Sequence, residues 1–141
     1  MYVIDFFKKA LLYNTYVAHG RNTGEEYAEK FSNELGTYKS SLGFYITRNI
    51  AIGSKVGLSL VLQGIEKGFN DKALQREIII HGADYATEAF IRKNGRLGRS
   101  LGCPSLPPDQ IKSVAETIKN GSCLFIYSHD DNYIRKSEVL K

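Results

Sequence analysis

The order of strand-like and helix-like segments limits what this chain can fold into more than any other feature. The first half is rich in β-branched and aromatic residues, as in MYVIDF, LLYNTYVAHG and TYKSSLGFYIT, with short turns between these runs. Helix-like segments come late and do not alternate regularly with strands. A doubly wound parallel sheet needs that alternation, so the order predicts a mainly β domain, or a β-rich α+β domain.

Turn residues divide the remaining strand-like runs. Lys8 and Lys9 predict a turn between the first two strands, and Gly53 and Gly57 bracket another turn before LSLVLQG. EIIIHG is a continuous apolar run, typical of a strand buried on both faces, and SCLFIY predicts a final strand. Residues 20–36 are polar with three glycines and predict a loop, with one helical turn around residues 25–30.

Three segments have helical character. DKALQRE predicts a short helix, and ATEAFIRKNG predicts another, with Thr87 as N-cap and Gly95 just after the last turn. PPDQIKSVAETIKNG is the clearest helix, and Gly121 ends it. Its apolar residues follow the i, i+3, i+4, i+7 spacing of a buried stripe: Ile111, Val114, Ala115 and Ile118.

Length and charge narrow the class of protein. The 141 residues suit one domain, which we place at residues 1–128, followed by a polar tail over residues 129–141 that we expect to be mobile. The net charge of +4 contains no long basic stripe, so a nucleic-acid partner is not expected. No apolar run approaches the roughly 18 residues of a membrane span. The first run carries charged residues unlike a signal peptide, so we expect any export signal to be absent from this chain.

The two cysteines differ in their surroundings. Cys123 lies in the strand-like run SCLFIY, where a cysteine usually acts as a small hydrophobic residue. Cys103 lies in GRLGRSLGCPSLP, a turn rich in glycine and proline, where no strand or helix explains it. Two cysteines make neither a disulfide framework nor a metal site, although pairing of Cys103 with Cys123 in an oxidising compartment stays open.

Cys103 and His81 have the residue types of a nucleophile and its base. A cysteine nucleophile acts as its thiolate, and a neighbouring imidazole takes the proton. His81 ends the EIIIHG run, and one strand–helix–loop return would bring it to Cys103. Gly102 allows a close turn with amides free to face an oxyanion. Arg96 and Arg99 would lower the thiol pKa or bind a substrate carboxylate.

The same residues have plain structural interpretations. Cys103 could be a small turn residue, His81 the polar end of a strand, and the two arginines solvated charges. His19 repeats the His-Gly pair after another strand, so the dipeptide alone says little. Metal binding by His19, His81 and Cys103 lacks any local spacing signature.

A family resemblance adds to this reasoning. IIIHGADY followed by GRLGRSLGCPSL resembles the L,D-transpeptidase catalytic domain (YkuD-type), in the branch whose cysteine motif reads S-x-G-C-P. The likeness runs from about Tyr2 to Tyr127 and includes VAHGRNTG, LQGIEKGFND and GSCLFIY. It implies a β-sandwich of mixed sheets with a few short helices, whose first strand is shortened here. Neither a cofactor nor a metal is expected.

The resemblance also implies roles for individual residues. Cys103 would attack the carbonyl between the third and fourth residues of a peptidoglycan stem peptide, and His81 would be the base and then the acid. The carbonyl of Gly82 would hold the imidazole. The other implied roles are an oxyanion hole at the amides of Gly102 and Cys103, loop shaping by Ser100, and substrate contact by Tyr85, Arg99 and Arg96.

The sequence departs from the common family motif at three positions. Leu101 stands where that motif has a histidine, and Pro104 and Ser105 follow the cysteine where an arginine is expected two residues on. We expect Arg99 or Arg96 to substitute for the missing charge.

The resemblance therefore implies an extracytoplasmic enzyme acting on peptidoglycan stem peptides. Its acyl-enzyme would pass to an amine acceptor. Two alternatives stay open: a hydrolase, either an L,D-carboxypeptidase or an enzyme that cleaves peptidoglycan–protein links, and a non-catalytic cell-wall-binding module that keeps the fold.

Overall fold

The computed structural model describes all 141 residues and contains two β-sheets with few short helices. A two-stranded antiparallel sheet joins β1 (Tyr2–Asp5) to β2 (Ala10–Asn14). The second sheet has the order β6-β5-β4-β3-β7. Its strands are β3 (Gly43–Gly53), β4 (Gly57–Gly64), β5 (Ile79–Gly82), β6 (Ser105–Leu106) and β7 (Cys123–Ile126). Only β5 and β6 pair in parallel, so the sheet is mixed and the predicted β-rich α+β class is confirmed.

The main core lies between the larger sheet and helix α2 (Ile111–Ile118). The four apolar residues predicted to form the buried stripe of α2 are all buried, and the helix packs against β3, β4 and β5. From the sheet, Tyr45, Leu60, Leu62 and Ile80 are fully buried and belong to the same cluster. The 3.6-residue period of the sequence therefore identified the inward face of this helix correctly.

Helix α1 (Glu88–Asn94) has the predicted ends. The Thr87 side chain accepts a hydrogen bond from the Phe90 amide, and Gly95 adopts the left-handed conformation with φ 84°. A short 3-10 helix (Asp84–Ala86) connects β5 to this helix. The segment between the histidine strand and the cysteine loop is thus the strand–helix–loop return expected from sequence.

Two predicted helical segments are wrong. Residues 71–77 form consecutive turns instead of a helix, and residues 25–30 form bends and irregular chain. In the first case Asn70 and Asp71 use their side chains on backbone groups, since Asn70 donates to the carbonyls of Leu42 and Phe44 and Asp71 accepts from the Gly68 amide. Such side-chain bonds compete with helical backbone pairing. Strand β3 also starts later than predicted, at Gly43.

The segment expected to be a polar tail packs against the domain in this structure. Helix α3 (Asp131–Lys136) follows β7, and its Tyr133 is fully buried. The Tyr133 hydroxyl donates to the buried Glu66 carboxylate at 2.8 Å, and Ser137 donates to its other oxygen. The Phe44 amide is a third donor to Glu66, at 2.7 Å. Neutral donors from β3 and from the C-terminal segment therefore satisfy one buried carboxylate. None of the helices is of a length and apolarity that would take it across a membrane.

Candidate active site

Parallel pairing of β5 with β6 places His81 opposite Ser105. The His81 amide donates to the Pro104 carbonyl, and on the other side of β6 Ser105 exchanges two backbone hydrogen bonds with Ala18, of 2.9 and 3.0 Å. The residues just after the cysteine are therefore held between β5 and the segment around Ala18, which are distant in sequence. This pairing aligns the cysteine loop, residues 100–104, with the end of the histidine strand.

Both ring nitrogens of His81 have partners. Nδ1 lies 3.0 Å from the Gly82 carbonyl oxygen, and Nε2 lies 3.1 Å from Ser105 Oγ. A carbonyl oxygen only accepts, so Nδ1 carries the proton in the neutral ring and Nε2 offers the lone pair. The Ser105 hydroxyl then donates to Nε2. Its oxygen lies 2.9 Å from the Tyr85 hydroxyl, which is left to donate to it.

The Cys103 thiol is half-buried beside the core. Its sulfur lies 3.7 Å from the Glu77 carbonyl oxygen. Burial raises the pKa of this thiol, and the hydrogen bond from the Ile79 backbone and the charge of Arg76 oppose that shift without reversing it. The resting group is therefore a neutral thiol. Sequence reasoning expected arginines to lower the thiol pKa, and the structure gives the opposite direction.

Hydrogen bonds within the cysteine loop fix its shape. Ser100 Oγ accepts from the Gly102 amide at 3.1 Å and donates to the Cys103 carbonyl. Gly102 has φ 130°, a conformation that L side chains rarely adopt, and its carbonyl accepts from Ser40 Oγ. Gly20 packs directly against this turn, because a β-carbon there would lie 2.9 Å from the Gly102 α-carbon.

The two amides expected to face an oxyanion differ in this structure. The Cys103 amide has no hydrogen-bond acceptor, whereas the Gly102 amide is already bonded to Ser100 Oγ. Only the Cys103 amide is therefore free to bind a new oxygen without a rearrangement.

The arginines predicted to serve the site are engaged elsewhere. Arg96 and Arg99 both pair with Glu25, at 3.0 and 2.8 Å. The hydrogen bond from Arg99 and its charge lower the pKa of the Glu25 carboxyl. Arg99 nevertheless lines the same groove as Cys103.

Arg76 is the cation beside the thiol, and sequence reasoning missed it. Its guanidinium is half-buried and donates to the carbonyls of Ser32 and Lys39 and to Ser41 Oγ. It lies in the segment DKALQRE, where nothing in the local pattern separates it from a solvated arginine on a helix. Ser105 was noticed only as a departure from a motif, not as a partner of His81.

One open groove joins most of the candidate residues, although Gly102 and Arg96 do not line it. His81, Gly82, Tyr85, Ser100 and Cys103 all line it. Leu101, which stands where the common motif has a histidine, is exposed at its edge. Its lining residues come from distant parts of the chain, between Leu35 and Pro108.

Cys103 and Cys123 are both free thiols, and Cys123 is exposed on β7 instead of acting as a small buried residue. No three side chains of the metal-binding types converge anywhere in the molecule. His19 uses Nδ1 on the Gly20 carbonyl, at 3.0 Å, in the same local geometry as His81 with Gly82.

Comparison with known proteins agrees with these observations. No curated protein and no solved structure matches the chain. The family model of the L,D-transpeptidase catalytic domain (YkuD-type) matches residues 1–127, which is nearly all of the sequence. That family acts on peptidoglycan. The chain therefore belongs to the family of L,D-transpeptidase catalytic domains.

Proposed function

We propose that this chain is a cysteine-dependent peptidoglycan L,D-transpeptidase, with Cys103 as nucleophile and His81 as general base. The observation that supports this most is that both side chains line one groove in a member of this family, with His81 held by Gly82 through Nδ1. Nε2 is then the single lone pair of the ring available to take a proton.

The first half of the reaction forms a thioester. The Cys103 sulfur attacks the carbonyl carbon between the third and fourth residues of a stem peptide, and its proton passes to His81 Nε2. The tetrahedral intermediate collapses, the C–N bond breaks, and His81 returns the proton to the leaving amine. A neutral resting thiol means that proton removal belongs to this step, not to a preformed thiolate.

Ser105 and Tyr85 act as positioning residues in this proposal. The Ser105 hydroxyl occupies Nε2 in the resting enzyme, and the Tyr85 hydroxyl orients Ser105. When Nε2 takes the thiol proton, the Ser105 hydroxyl turns to accept from Nε2–H and donates to the Tyr85 oxygen, so the ring stays held on both sides. The ring then needs no reorientation, since Nδ1 stays on the Gly82 carbonyl.

The oxyanion of the intermediate would bind first to the free Cys103 amide. The Gly102 amide becomes a second donor when it leaves Ser100 Oγ, so Ser100 both shapes the loop and controls this donor. Arg99, which lines the groove, and Arg96, both paired with Glu25, are the candidates for contact with substrate carboxylates. Tyr85 lines the groove beside them but contributes through Ser105.

In the second half, an amine of a neighbouring stem attacks the thioester carbonyl and releases Cys103. Water in place of the amine would give the hydrolytic product instead. The substrate places the enzyme outside the cytoplasmic membrane, at the cell wall.

Incubation of purified protein with a defined tetrapeptide-stem substrate, with and without an added amine acceptor, tests the proposal by product mass. We expect release of the fourth residue and a cross-linked product that needs the amine. Loss of both in Cys103→Ser and His81→Ala is expected, with Cys123→Ser as the matched control that keeps full activity.

Each other result has a distinct meaning. Release without any cross-linked product, even at high amine concentration, identifies a hydrolase. Equal activity of wild type and Cys103→Ser excludes the cysteine mechanism. Sacculus binding that Cys103→Ser retains, with no turnover by wild type, identifies a non-catalytic wall-binding module.

A further inference from the structure

The turn of the β1–β2 hairpin carries an exposed aromatic pair next to two lysines. Phe6 is 83% exposed and Phe7 is 102% exposed, so neither ring packs on this protein. Lys8 and Lys9 follow them in the same turn, are exposed, and pair with no carboxylate. We call residues 6–9 the hairpin tip. Two bare aromatic rings in water are unfavourable, so this surface indicates a partner.

The tip is held in this form by local structure. The Asp5 carboxylate accepts from the Lys8 amide at 2.9 Å, and Lys9 adopts the left-handed conformation with φ 50°. The turn is therefore ordered in the free protein, with the two rings exposed to solvent.

The outward face of the same hairpin continues the apolar surface. Ile4 and Leu11 lie opposite each other in the register, and both are more than half exposed. On the other face, Val3 is buried in the main core and Tyr13 packs against it. The hairpin is thus anchored by one face and leaves the other face and the tip without a partner.

The composition of the tip selects the kind of partner. Lysine is depleted in the centres of protein–protein interfaces, so two unpaired lysines beside the rings do not suit that use. Apolar rings flanked by lysine are typical of segments that bind in the membrane interface, where the rings enter the acyl boundary and the ammonium groups face anionic headgroups. We propose that the hairpin tip binds an anionic lipid surface, with Phe6 and Phe7 inserted and Lys8 and Lys9 at the headgroups.

This inference does not rest on the proposed catalysis, since neither the tip nor its neighbours line the groove of Cys103. It adds a peripheral contact that would hold the enzyme at a membrane surface. The contact involves only side chains that are already exposed, so variants of the tip retain the interactions of the core.

Sedimentation with vesicles of an anionic phospholipid mixture, compared with purely zwitterionic vesicles, tests the inference. We expect binding to the anionic vesicles, lowered at least about a hundredfold in F6S/F7S because burying each ring is worth about tenfold or more in partition. K8S/K9S should lower the affinity for anionic vesicles about 25-fold, because each lysine near an anionic surface contributes roughly fivefold. Replacing the anionic lipid by zwitterionic lipid should lower wild-type binding by a similar factor.

The matched control is I52S/K55S, which alters an exposed apolar residue and an exposed lysine at the β3–β4 hairpin. It should bind vesicles as wild type does. Wild-type binding that F6S/F7S leaves unchanged, or no wild-type binding to anionic vesicles, overturns the inference. Size-exclusion chromatography without lipid tests the remaining alternative. If wild type is a dimer that F6S/F7S dissociates, and wild type does not bind vesicles, the tip contacts a second copy of this chain and the inference is overturned.

Discussion

The Ser105→Ala substitution tests the proposed positioning of His81 most directly. Ser105 is fully buried, and its hydroxyl contacts only the His81 ring and the Tyr85 hydroxyl. Alanine fits the same space, so the change removes hydrogen bonds without adding bulk. It leaves Nε2 without a donor and the Tyr85 hydroxyl without its acceptor.

The magnitude follows from those two bonds. Each buried hydrogen bond contributes about 1 kcal/mol net, so unfolding free energy should fall by about 2 kcal/mol, or roughly 4–8 °C in Tm for a chain of this size. The contribution of the Ser105 bond to the orientation of the His81 ring should appear as a lower kcat. A loss of about 1.4 kcal/mol in the transition state lowers kcat about tenfold, and KM stays unchanged because the hydroxyl is not part of the substrate site.

Nitrogen NMR of His81 gives the readout that a merely structural role would not change. In wild type we expect a protonated Nδ1 and an unprotonated Nε2 whose signal carries the shift of a hydrogen-bonded acceptor. Ser105→Ala should move the Nε2 signal toward the value of a free acceptor. Tyr85→Phe should have little further effect on kcat in the Ser105→Ala background, because Tyr85 acts through Ser105.

Ser113→Ala is the matched control, since the side chain of this exposed serine on α2 bonds only to the Gln110 carbonyl. It should leave kcat and the His81 signals unchanged. A proton on Nε2 and none on Nδ1 in neutral wild-type His81 would refute the reasoning. So would a Ser105→Ala enzyme with wild-type kcat, whatever its stability.

Three further predictions concern the thiol, its loop and the C-terminal helix. In a Cys123→Ser background, iodoacetamide should alkylate Cys103 with a pH midpoint above the usual thiol value of about 8.5, because a raised pKa keeps the thiol neutral until more alkaline pH; a midpoint below that value would contradict it. Gly102→Ala should lose activity and lower the unfolding free energy by about 1–3 kcal/mol, because φ of Gly102 is 130° and a β-carbon would lie 3.1 Å from the Lys39 carbonyl oxygen. Gly121→Ala, where φ is 121° and the space is open, should lower only the unfolding free energy. Urea unfolding and turnover measure the two effects. Glu66→Gln should lower the unfolding free energy by about 2 kcal/mol, because a carboxamide places an NH₂ group against buried donors. Glu138→Gln, at an exposed position, should change the unfolding free energy little. Equal thermal melts for the two variants would contradict the role of Glu66.

Local features that depend on neighbouring residues were predictable from the sequence. Thr87 and Gly95 end α1 through bonds and backbone angles that lie within the helix itself. The buried stripe of α2 follows from its period alone. The failed helix at residues 71–77 differs because Asn70, just before it, bonds to Leu42 and Asp71 bonds to Asn33, contacts that no local pattern reveals.

The candidate site divides in the same way. The sequence by itself determined the residue types, His81 before a glycine and Cys103 in a glycine turn, and also the family, whose model matches residues 1–127. Only the tertiary structure decided their surroundings. The parallel register of β5 and β6 brings Ser105 to His81, and the fold brings Arg76 to the thiol while Glu25 takes Arg96 and Arg99. Burial and hydrogen-bond partners are set by segments far apart in sequence, so the pKa of the thiol and the tautomer of the imidazole follow from the fold and not from the motif.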